Sequence, residues 1–136
     1  MVIVKTDLTQ KTINARLKMV GVGAEFLTVG NDAKTIKGET LGFKTGILYM
    51  MPTDKICPAS KLAGCREACL VTAGRGQFTA VKKARLAKTE LFERDKSLFF
   101  TALIMRINKL FQKYENALVI RLNGTSDIDY ENIQLE

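Results

Sequence analysis

Apolar residues recur at helical spacing between Phe78 and Tyr114: Val81, Leu86, Leu91 and Phe92 in a first stretch, then Leu98, Leu103, Ile107, Leu110 and Phe111 in a second. Stripes of that period are the core-facing sides of amphipathic helices, and Asp95 or Ser97 between them is a residue type that caps a new helix. Two nearly continuous apolar runs flank the helices. Phe43 to Met51 ends at Pro52, which cannot donate to a sheet ladder, and Ala117 to Leu122 gives way to the polar loop Asn123-Gly124-Thr125-Ser126-Asp127. Strand, helices, strand is a βαβ unit, so the pattern predicts an α/β fold, a small βαβ-containing domain. The crossover in such a unit is right-handed, and its parallel strands end on the same edge. The segment after Ile47 to Met51 and the loop after Leu122 are therefore expected to meet, at the edge where α/β proteins place ligands.

The N-terminal third is patterned more weakly. Residues 1 to 20 predict a short strand or a loose amphipathic helix around Ile13 to Val20, and Val20-Gly21-Val22-Gly23 reads as a turn, because the third glycine of a dinucleotide-binding loop is missing. Glu25 to Lys37, interrupted by Gly30-Asn31-Asp32, reads as a hairpin or loop. The expected organisation is one domain over residues 1–136, with a poorly patterned part at 1–40 and a βαβ core carrying a cysteine loop at 41–136.

Composition narrows the class. At 136 residues, 46% hydrophobic and 26% charged, the chain is ordinary globular material, and it has no apolar run near the roughly 18 residues that span a bilayer. A cytoplasmic location is expected. Twenty-one Lys and Arg against 14 Asp and Glu leave a net charge of +7, which favours polyanionic partners such as nucleic acid. Basic residues concentrate between Arg66 and Lys113. Lys82, Lys83 and Arg85 are the candidates for binding a partner, against the plainer reading of a solvated helix face.

The sharpest local feature is chemical. Cys57, Cys65 and Cys69 lie within thirteen residues, with no other cysteine and no histidine in the chain. Thiolates so clustered suit a soft metal. A closed zinc site needs four ligands, so zinc would have to recruit Asp54, a water or a partner chain. An iron-sulfur cluster held by three cysteines leaves one iron open to an exogenous ligand, which fits the count better. The plainer alternatives are buried thiols on one helix face, since Cys65 and Cys69 are four apart, and a disulfide, which the odd count disfavours. Downstream, Gly74-Arg75-Gly76 lets backbone and a cation approach an anion, and Asn123, Thr125, Ser126 and Asp127 are candidates for binding a small ligand beside the cysteine loop. Asp127 and Asp129 at alternate positions suggest either a cation site or, more simply, two solvated carboxylates. The chain has no histidine for acid-base work and no Gly-Lys-Thr phosphate loop.

Several short motifs in fixed order carry a resemblance: Lys44-Thr45-Gly46-Ile47-Leu48-Tyr49, Cys57-Pro58, Gly64-Cys65, Cys69-Leu70, Thr72-Ala73-Gly74-Arg75-Gly76, and Arg121 through Ile128. Together, over roughly residues 40 to 132, they resemble the bacteriophage family labelled gene product 88, which implies a phage or prophage origin. A weaker likeness is to radical S-adenosylmethionine enzymes, in which three cysteines after the first barrel strand hold a four-iron cluster and a polar motif after the second strand contacts the cofactor. The cysteine spacing and the short chain depart from that pattern, so the likeness implies a truncated partial barrel. Two expectations follow. One is an iron-sulfur protein that binds S-adenosylmethionine. The other is a small basic phage protein that binds nucleic acid or a host protein, its cysteines structural as zinc ligands or buried thiols.

Overall fold

Two parallel strands form the centre of the fold: β2 (Lys44–Ile47) and β3 (Leu118–Arg121), in register with Lys44 opposite Leu118 and Ile47 opposite Arg121. A two-residue strand, β1 (Thr28–Val29), pairs antiparallel with the other edge of β2, giving the sheet order β1-β2-β3. The structure, a computed structural model, describes residues 9–30, 33–51, 79–124 and 128–133, with the backbone alone at 33 and 34. Four α-helices complete the described elements: α1 (Gln10–Met19), α2 (Ala33–Thr40), α3 (Thr79–Arg94) and α4 (Lys96–Tyr114).

The order β2-α3-α4-β3 is the expected βαβ unit, and the α/β class holds. Both strand ladders are shorter than the apolar runs that encode them. Leu48, Tyr49 and Met50 follow β2 as buried backbone outside the ladder, and Ala117 falls in a 3-10 turn before β3. The antiparallel β1 departs from the wholly parallel sheet of a barrel.

The helices begin and end where local chemistry dictates. Asp95 interrupts the long apolar pattern and accepts a hydrogen bond from Leu98 N at 3.0 Å, capping α4. Thr9 caps α1 in the same way through Thr12 N. At the other end of α1, Gly21 takes φ +76°, its N–H bonds Lys18 O, and Val22 N bonds Leu17 O at 2.9 Å. That double closure, with buried Val22 against buried Leu17, is a Schellman ending, and it accounts for the Val-Gly-Val-Gly stretch without a ligand.

Residues 25–37 differ from the expected hairpin or loop, since β1 is followed by the helix α2. Gly38 masks it from a sequence reading because glycine weakens a helix, but here it serves packing. A Cβ at Gly38 would stand 2.5 Å from Thr45 Oγ1, so with any larger residue at the crossing the Thr45 side chain must shift for α2 to lie against β2.

Phe99, fully buried, is the hub of the core. Its ring makes edge-to-face contacts with Phe26, Phe92 and Phe100 at centroid distances of 5.1 to 5.3 Å. Ile13 and Leu17 from α1, Leu48 and Met50 after β2, and Leu103 and Leu110 from α4 join the same cluster. Among the described residues, no helix is long and apolar enough to cross a membrane.

Candidate functional site

The two parallel strands deliver their chains to one sheet edge, where two hydrogen bonds join them. Leu48 N donates to Arg121 O at 2.9 Å, and Gly124 N donates back to Leu48 O at 3.1 Å. Only glycine fits there, since a Cβ at Gly124 would stand 2.7 Å from Ile47 Cγ2, 2.8 Å from Leu48 O and 2.8 Å from the Tyr49 ring. The loop after β3 is thereby held against the chain leaving β2.

Asn123 shapes that loop. Its amide Nδ2 donates to Ile128 O at 3.1 Å, and its Oδ1 accepts from Ile128 N at 3.2 Å, tying residue 123 to residue 128. Tyr130 Oη donates to Leu122 O at 3.3 Å from beneath. Of the ligand-binding candidates Asn123, Thr125, Ser126, Asp127 and Arg75, Asn123 is described and acts as a clasp, while the other four lie outside the described residues.

On the other side, α3 anchors the exit from β2. Met51 N donates to Arg85 O at 3.3 Å, and Thr89 Oγ1 donates to Met51 O at 2.9 Å, also lying 3.2 Å from Arg85 O. The Arg85 guanidinium stacks 4.6 Å from the centroid of the buried Tyr49 ring. Of the three cations expected to meet a partner, Lys82 and Lys83 are exposed, while Arg85 is half-buried over Tyr49 at the sheet edge. One turn further along α3, Lys88 is also half-buried, with Nζ 3.4 Å from Phe26 O. Desolvation, and secondarily the charge of Arg85, lower its pKa from 10.5 to about 8. Composition alone does not distinguish Lys88 from its solvated neighbours.

The cysteine segment is attached to this frame at both ends. It leaves at Met51 and rejoins at Thr79, the first residue of α3, and Arg85 lies about 9 Å along the helix from Thr79 at 1.5 Å per residue. Cys57, Cys65 and Cys69 themselves lie outside the described residues. Among the described residues, no group of three His, Cys, Asp or Glu side chains is placed to hold a metal ion.

The sequence model of the family described as gene product 88 matches residues 25–136, from just before β1 to the last residue and across the whole cysteine segment. The chain belongs to the gene product 88 family. No curated protein and no solved structure matches it. The family match includes both strands of the βαβ unit and both loops of the shared edge, while α1 precedes it.

Proposed function

We propose that this gene product 88 protein carries a three-thiolate metal site at the shared carboxyl edge of β2 and β3, with an iron-sulfur cluster on Cys57, Cys65 and Cys69. The observation that supports it is the Gly124 to Leu48 pairing, which sets the loop after β3 beside the point where the cysteine segment departs. The donor set fits, since three thiolates complete such a cluster while one iron stays open, whereas zinc would have to recruit a fourth ligand such as Asp54, a water or a partner chain. When bound, the cluster would supply electron-transfer or ligand-activating chemistry, the protein contributing placement and electrostatics. In the finer, radical S-adenosylmethionine-like form of this reading, Thr125, Ser126 and Asp127 bind the small ligand in the loop clasped by Asn123. Arg75, with its flanking glycine amides, would hold an anionic group.

The test replaces each cysteine by serine in anaerobically purified protein and measures iron and acid-labile sulfide. Each variant is expected to lose most of both. Iron retained in the triple Cys57→Ser, Cys65→Ser, Cys69→Ser variant would contradict the assignment, and stoichiometric zinc in place of iron would give the cysteines a structural role.

A second reading rests on Lys82 and Lys83, adjacent and exposed on α3, together with the net charge of +7. They support a basic phage protein that binds nucleic acid or a host protein through α3.

A further inference from the structure

We propose that the groove between β1 and the C-terminal half of α4 binds nucleotide phosphates, in a free nucleotide or in a single strand. It shares no residue with the cysteine edge or with Lys82 and Lys83, so it stands apart from both readings above. The groove encloses about 510 Å³, within the range of small-molecule sites. Four cations line it: Lys44 at the start of β2, which is ion-paired to Glu39, and Arg106, Lys109 and Lys113 on α4. The last three, at i, i+3 and i+7, share one helix face over about 10 Å, enough to follow about two successive phosphates of a single strand.

Arg106 indicates that an oxygen ligand belongs here. Its side chain is only 15% exposed, and its buried Nε has no hydrogen-bond acceptor among the described residues. Its Nη2 bonds Glu25 Oε2 at 2.7 Å, but Glu25, the one carboxylate lining the groove, is 82% exposed, so the pair is screened by solvent. A buried guanidinium with an unused N–H suits the bidentate oxygens of a phosphate.

The aromatic and apolar components favour a nucleotide over a bare anion or an acidic peptide. Leu110 lines the groove, and two ammonium groups lie near the Tyr114 ring, Lys44 Nζ at 5.6 Å and Lys113 Nζ at 5.2 Å from its centroid. A row of cations beside an aromatic ring is the usual construction of single-strand sites, phosphates on the charges and bases on the apolar surface.

The experiment compares two double charge reversals in the full chain: K109E with K113E in the groove, and K82E with K83E on α3. Both pairs are exposed and both change the net charge equally, so a difference between them reports location rather than overall charge. Binding is followed by fluorescence anisotropy of a labelled oligothymidylate of about twelve nucleotides, with adenosine monophosphate as competitor. The groove variant is expected to bind about tenfold or more weaker, with a salt slope reduced by about 1.4 for two lost phosphate contacts, and the α3 variant to bind within about twofold of wild type. Displacement by the mononucleotide assigns a nucleotide pocket, and binding of the oligonucleotide alone assigns a strand groove; either supports the proposal. Equal weakening in both variants, loss confined to the α3 variant, or no binding of either probe by the wild-type protein would overturn it.

Discussion

At Gly124 the candidate site depends on the absence of a methyl group. A Cβ there meets backbone at 2.8 Å on Leu48 O as well as side chains, and backbone cannot step aside cheaply. Gly124→Ala is therefore expected to cost about 1 to 3 kcal/mol by overpacking, and to loosen the junction between Gly124 and the chain leaving β2. Urea denaturation measures it, and an unchanged midpoint would mean that the Gly124 to Leu48 junction yields without strain. Lys88 makes a second prediction at the same scale. Its folded pKa of about 8 lies below its ordinary 10.5, so between those values the unfolded chain holds a proton that the folded chain has released. The penalty is in force below pH 8 and fades as pH rises through 10.5, by about 3 kcal/mol at most. Lys88→Met is expected to raise stability near neutral pH and to flatten the rise across that window relative to wild type. Parallel pH profiles for the two proteins would show that Lys88 is solvated.

Among the elements, α3 and α4 were legible because long amphipathic stripes carry their own period, and because Asp95 announces the break between them. Asp95→Ala should lower stability by about 1 kcal/mol through loss of the bond to Leu98 N, read as a shift in thermal midpoint. Both parallel strands were legible as apolar runs, though the ladder ends at Ile47, beyond which the chain meets Gly124 and α3. The short elements were not legible. Two residues of β1 carry no period, and α2 hides behind Gly38, which tertiary crowding at Thr45 selects against helix propensity. The Val-Gly-Val-Gly stretch was correctly a turn, but its purpose as the ending of α1 required the hydrogen bonds to Leu17 and Lys18.

For the whole molecule, the meeting of two loops at one strand edge is an expectation of the βαβ order alone; the bonds between Leu48, Arg121 and Gly124 bring the start of the loop after β3 to the chain leaving β2, while the cysteine loop lies outside the described residues. The individual roles at that edge were less readable, because Asn123 and Arg85 are the polar and basic residue types that bind ligands elsewhere. Here Asn123 clasps its own loop, and Arg85 covers Tyr49. The cation groove was likewise hidden, since Lys44 and the α4 cations lie some sixty residues apart in sequence and converge only through the fold. The central claim concerns the cysteines that this frame holds. Its most direct test is the iron and acid-labile sulfide content of wild-type protein purified without oxygen, together with its visible spectrum. A brown protein with several irons per chain and broad thiolate-to-iron absorption is the expected result. A colourless protein free of iron would contradict it.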